Sequence, residues 1–132
     1  MRQTTVLLVE DEPIIALDLK GELEAKGFLP LMAADVQDAL RLTARHLPDV
    51  AILNFKTGQM TDGMALACLL RTRYRTKVLF ITGARPQELE ASADFYAGQE
   101  VLYKPFTRRQ LKALLFPEKF PPFPEFRGAF TE

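Results

Sequence analysis

Three four-residue runs, Val6-Leu7-Leu8-Val9, Val50-Ala51-Ile52-Leu53 and Val78-Leu79-Phe80-Ile81, constrain this chain more than any other feature. A strand with one face in water alternates apolar and polar residues. A continuous apolar run between turn-prone residues is instead a strand buried on both faces, as in a parallel sheet covered by its crossover helices. Helical spacing fills the gaps between the runs. After Pro13, which suits a first helical turn, Ile14, Ile15, Leu17, Leu19 and Leu23 recur until Gly27 stops the helix. After Asp35, a residue suited to an N-cap, Ala39, Leu40, Leu42 and Leu47 mark a second helix that ends before Pro48. A third, over about 62–74, carries Met64, Leu66, Ala67, Leu69 and Leu70.

Weaker segments complete the alternation. Residues 28–33 read as a strand, and Pro30 within it points to a sheet edge. Residues 85–97 read as a helix with Leu89, Ala93 and Phe95 as its apolar members, and Val101-Leu102-Tyr103 as a fifth strand. Thr107-Arg108-Arg109-Gln110 has the form of a capping box and opens a last helix through Leu111, Leu114 and Leu115. Five strands alternating with five helices predict an α/β fold: a single doubly wound five-stranded parallel sheet, (βα)5.

Composition removes several function classes. The 132 residues suffice for one domain with its own core. Lysine plus arginine number 17 and aspartate plus glutamate 17, so charge makes no case for nucleic acid or an acidic membrane. The densest basic cluster, Arg71, Arg73, Arg75 and Lys77, reads as a solvated helix end. No apolar run approaches the length of a membrane span, and Met1-Arg2-Gln3-Thr4-Thr5 leads straight into the first strand, so a cytoplasmic protein is expected. The single cysteine, Cys68, excludes an intrachain disulfide and a thiolate metal cluster. Among Leu66, Ala67, Leu69 and Leu70 it reads as a small buried hydrophobe. His46, near a helix end, reads as a surface residue.

Beyond residue 116 the composition changes. Residues 117–132 hold Pro117, Pro121, Pro122 and Pro124, with Phe120, Phe123, Phe126 and Phe130 among them. Such proline density favours a polyproline-type path with three residues per turn, which places Phe120, Phe123 and Phe126 on one side. Three readings stand: a tail that folds back over a groove of its own domain, an aromatic face for a partner or a second copy in a homodimer, and disorder.

In an open α/β sheet, ligands bind at the carboxyl ends of the strands. Four of the five strands here end in polar residues: Glu10 and Asp11, Asn54, Thr82, and Lys104. Each alone has a dull explanation, since a threonine caps helices and a lysine before proline is ordinarily exposed. Together, on one edge, they predict a shared site.

With these motifs the chain resembles the receiver domains of two-component response regulators. The resemblance rests on Val9-Glu10-Asp11-Glu12-Pro13, the strand ending at Asn54 with Asp62-Gly63 beyond it, Ile81-Thr82-Gly83, and Lys104-Pro105-Phe106. It covers roughly residues 4–116, so that 1–116 form the receiver domain and 117–132 a separate Pro/Phe-rich tail. It implies a flavodoxin-like sheet of order 2-1-3-4-5 and a part in phosphorelay signal transduction. The partners it implies are a histidine kinase or histidine phosphotransfer protein and a downstream signalling protein. It implies a signalling domain, not an enzyme. By position, Glu10 and Asp11 match the acidic pair that holds Mg²⁺, Asp11 directly and Glu10 through water, with the Lys56 carbonyl and the side chain at position 54 completing the protein ligands. Thr82 and Lys104 match the hydroxyl and ammonium groups that meet the phosphoryl group.

Asn54 falls where the family carries its phosphoacceptor aspartate. A carboxylate attacks phosphorus as an anion, whereas a carboxamide is neutral and a poor nucleophile. No phosphorylation is therefore expected at Asn54, and Mg²⁺ binding is expected to weaken. Two origins of Asn54 stand side by side, a natural atypical receiver and an ordinary one whose aspartate was replaced. Val101 stands where the family commonly has a switching aromatic. The expectation is a stand-alone receiver that signals by protein–protein contact. The alternatives are a phosphoacceptor that uses Asp11 or Thr57, and an unrelated flavodoxin-like binding domain.

Overall fold

The computed structural model describes residues 3–54, 60–82, 100–103 and 107–115. In chain order these form β1 (Thr5–Val9), α1 (Pro13–Ala25), β2 (Leu29–Ala33), α2 (Val36–His46), β3 (Val50–Leu53), α3 (Met60–Tyr74), β4 (Lys77–Thr82), β5 (Val101–Tyr103) and α4 (Arg108–Leu115). The five strands make one all-parallel sheet in the order β2-β1-β3-β4-β5. The fold class and strand order expected from the sequence are those observed. The helix expected over 85–97 and the tail over 117–132 lie outside the described residues.

Side-chain alternation along the strands divides the core into two layers. Val6 and Leu8 of β1, Val50 and Ile52 of β3, Leu79 and Ile81 of β4, and Leu102 of β5 pack with Leu19 and Leu23 of α1 and Leu111 of α4. Leu7, Val9, Ala51, Leu53, Val78 and Phe80 pack on the other side with Ala39 of α2 and Leu66, Ala67 and Leu70 of α3. All four residues of β3 are buried, as are Val6 to Val9 of β1, which is why these two strands read as unbroken apolar runs. At about 25 cal/mol per Å² of apolar surface, each fully buried leucine here contributes about 1.5–3 kcal/mol.

Local signals place the helix starts. Asp35 caps α2, its carboxylate accepting from the Asp38 N–H at 2.8 Å. Thr107 and Gln110 form the expected reciprocal box at α4. The Gln110 N–H donates to Thr107 Oγ1 at 3.1 Å, and the Thr107 N–H donates to Gln110 Oε1 at 2.7 Å. Pro30 sits in β2, which is an edge strand as its proline implied.

Three expectations are corrected. Cys68 is exposed, not buried: the buried residues of α3 include Leu66, Ala67 and Leu70, and at 100° per residue position 68 turns outward. Lys77 belongs to a strand, not to a solvated helix end; it opens β4 and pairs with Glu100 at 3.8 Å. The apolar set of α1 does not form one face. Leu19 and Leu23 are buried and Ile15 packs against them, but Ile14 and Leu17 are 84% and 65% exposed. His46 is exposed, as expected.

Candidate functional site at the carboxyl edge of the sheet

Parallel pairing brings the ends of β1, β3 and β4 to one edge, in that order, about 4.8 Å apart. The register sets Val9 level with Leu53 and Leu53 level with Phe80. Asn54 therefore stands beside the β1 end, and Thr82, the last residue of β4, reaches farther out than Asn54.

The first strand hands over to two acids with different surroundings. Glu10 is buried, 5% exposed, and its N–H donates to the Ala33 carbonyl of β2 at 2.9 Å, continuing the ladder past Val9. Its Oε1 accepts from the Glu12 N–H at 3.0 Å. Glu12 is the N-cap of α1 but provides no side-chain cap, and Pro13 follows it. The Glu10 carboxylate thus satisfies a donor at the helix entry and sets a negative charge against the positive end of the helix dipole. Asp11, next in sequence, is exposed.

Asn54 is half-buried and its N–H donates to the Val9 carbonyl at 3.0 Å. That bond fixes position 54 against the strand that delivers Glu10 and Asp11. The structure thus brings Glu10, Asp11 and Asn54 to adjoining strand ends, with the backbone of Thr82 one strand beyond. Lys56 and Lys104 lie outside the described residues, although β5 ends at Tyr103, immediately before Lys104.

Sequence reasoning found these residues but not which of the two acids is buried. Both follow an apolar run and look alike in sequence. Only the pairing of Glu10 with β2 shows that it continues the buried strand while Asp11 turns out. Among the described residues no group of three or more His, Cys, Asp or Glu side chains could hold a metal ion. The donor set at this edge is two carboxylates and one amide oxygen. It is all oxygen, the donor type that Mg²⁺ takes, in a number for which Mg²⁺ keeps several waters.

The described residues contain no helix long and apolar enough to cross a membrane. The family profile described as response regulator receiver domain matches residues 6–116. Over 118 residues the chain is 32% identical to the transcriptional regulatory protein KdpE of Mycobacterium tuberculosis, covering 85% of this chain and 49% of that protein. Over 117 residues it is 29% identical to a putative response regulator, NtrX-like, of Rickettsia felis, covering 87% of this chain and 25% of that protein. The chain therefore spans a quarter to a half of the length of these relatives. Among solved structures it is similar to the signal receiver domain of an HD domain-containing protein from Pseudomonas fluorescens Pf-5. The TM-score there is 0.69 at 25% identity, over 86% of this chain and 92% of that one.

Proposed function

Because the chain belongs to the response regulator receiver domain family, we propose that it is a receiver of two-component signalling that works by protein–protein contact without phosphorylation at position 54. The observation that carries this reading is the residue beside the acidic pair: Asn54, tied to Val9 at 3.0 Å, is an amide where the family's chemistry needs a carboxylate. A carboxylate can attack a phosphoryl group and hold it as an acyl phosphate. The amide oxygen of Asn54 carries no charge to attack with, and its adduct would have no stable form. The family membership displaces the alternative of an unrelated flavodoxin-like binding domain.

Glu10 and Asp11 would hold Mg²⁺, with the Asn54 side-chain oxygen and the Lys56 carbonyl as neutral donors. The bound cation would supply positive charge at the strand edge. Losing one negative charge at position 54 weakens that site, since a charge about 4 Å from another is worth about 1 kcal/mol in water and about 4 kcal/mol near a protein surface. Thr82 and Lys104 would complete the pocket, Lys104 as a fixed positive charge that turns toward Asp11 when position 54 is neutral. The expected partners are a histidine kinase or histidine phosphotransfer protein and a downstream signalling protein.

The test is to restore the acid. The native chain and Asn54→Asp are incubated with a small-molecule phosphodonor and Mg²⁺, and phosphate is located by mass spectrometry. One phosphoryl group on the variant at position 54, and none on the native chain, is expected. A phosphoryl group on Asp11 or Thr57 of the native chain would overturn the reading.

A further inference from the structure

Two helix surfaces, one on each face of the sheet, carry apolar residues to solvent. On α1, opposite Leu19 and Leu23, Ile14 and Leu17 are 84% and 65% exposed, and Gly21 and Ala25 are exposed beyond them. At 100° per residue these four line one stripe. On the other face of the sheet, Val36 and Leu40 of α2 and Leu66 and Leu69 of α3 line an apolar groove. Along α2 the same line continues through exposed Ala44 to Leu47, which is 62% exposed. Two of these residues have no local reason to be what they are. Gly21 weakens its helix relative to alanine, yet a Cβ there would meet nothing within 4 Å. Leu47 is held at φ 47°, a geometry that glycine takes more easily.

The two surfaces share one pattern, read in opposite directions. Ile14, Leu17, Gly21 and Ala25 follow at intervals of three, four and four residues, and so do Leu47, Ala44, Leu40 and Val36 taken backwards. Each set spans about 16.5 Å at 1.5 Å per residue. Laid antiparallel, Leu17 comes level with Ala44 and Gly21 with Leu40, so Leu17 and Leu40 each meet a small residue. Laid parallel, Leu17 would face Leu40 and Gly21 would face Ala44, with crowding at one level and a gap at the next. We propose that the α1 stripe of one molecule seats antiparallel in the α2–α3 groove of a second copy. Charge follows the same register. In that direction exposed Asp18, one residue past Leu17, lies on the α2 side of the stripe, about 6 Å along the axis from Ile14. Arg45 and Arg41 stand about 3 Å and about 9 Å from Leu47, on either side of that level. Arg45 is exposed and in no ion pair among the described residues, while Arg41 pairs with Asp38. Stripe and groove look away from opposite faces of one sheet, so two molecules cannot engage both at once. A head-to-tail contact of this kind continues past the dimer. It uses none of Glu10, Asp11 and Asn54, so assembly follows the concentration of the chain and needs no phosphoryl group.

Mixing two variants tests the contact in the full chain, under a reducing agent so that exposed Cys68 links no molecules. In sedimentation velocity the native chain should grow past a dimer with rising concentration. Leu17→Glu spoils the stripe and keeps the groove, whereas Ala44→Glu spoils the groove and keeps the stripe. Both positions are exposed, so each variant should keep the native circular dichroism spectrum, and each alone should stay a monomer. Their equimolar mixture should form a one-to-one dimer and nothing larger. Asp18→Lys should also weaken growth, and Arg45→Glu added to it should restore growth. A native chain that stays monomeric, or that halts at a dimer, overturns the proposal. So does a mixture that stays monomeric, growth of either glutamate variant alone, or growth that Asp18→Lys leaves unchanged.

Discussion

The two edges of the sheet use the same residue types for opposite ends. At the amino edge, Asp49 is half-buried and works for the backbone: its carboxylate accepts from the Thr5 N–H at 2.9 Å, its N–H donates to the Thr5 carbonyl at 2.9 Å, and its carbonyl accepts from the Lys77 N–H at 3.2 Å. One residue thus ties β1, β3 and β4 together where they begin. At the carboxyl edge, the Glu10 carboxylate secures the entry to α1, while Asp11 stands exposed and Asn54 presents an uncharged amide. An acid at the amino edge is spent on holding the strands. At the carboxyl edge Glu10 is likewise spent on structure and only Asp11 lies open to solvent, and the comparison teaches that strand-end polarity alone does not identify a site.

The contrast can be broken most forcefully at Asp49. A charge-assisted hydrogen bond to a backbone N–H contributes about 1.5–3 kcal/mol. Asp49→Ala should therefore lower unfolding free energy in urea by about 2 kcal/mol and leave any Mg²⁺ response unchanged. A smaller effect on stability than on Mg²⁺ response would erase the distinction between the edges. Next comes Asn54→Asp, which should tighten Mg²⁺ binding about tenfold, or about 1.4 kcal/mol, read by isothermal titration calorimetry. Asp11→Asn in that variant should reverse the gain. Asp35→Ala, which removes the α2 cap, should cost about 1 kcal/mol by the same urea measurement. The smallest effect is expected at Leu47, the C-cap of α2, which is exposed and held at φ 47°. Glycine suits that left-handed geometry, so Leu47→Gly should raise stability by about 0.5–1 kcal/mol.

The sheet was legible because its strands are buried on both faces, so that Val6 to Val9 and Val50 to Leu53 could not be read as anything half-solvated. Capping chemistry was equally plain at Asp35 and at Thr107 with Gln110, where a short-range side-chain bond fixes a boundary without help from the rest of the fold. The helix surfaces were harder. Cys68 lay among apolar neighbours and Ile14 and Leu17 looked like core, because composition counts residues while burial depends on their angle around the axis. The site was legible as a set of strand ends, since parallel pairing forces those ends together. Which of Glu10 and Asp11 lies inside was not legible, because that depends on the bond from Glu10 to Ala33 of a strand distant in sequence.

Pro30 has a consequence for how the protein keeps to itself. The Leu29 N–H donates inward to the Thr4 carbonyl at 2.9 Å, so the nitrogen of Pro30, next along β2, faces outward. A proline nitrogen has no hydrogen to offer, and Met32 is then the strand's remaining outward donor. Exposed strand edges are where sheets of separate molecules fuse and begin to aggregate. By withholding a donor near the middle of a five-residue strand, β2 denies an incoming strand the ladder it needs, and this side of the sheet ends where it is.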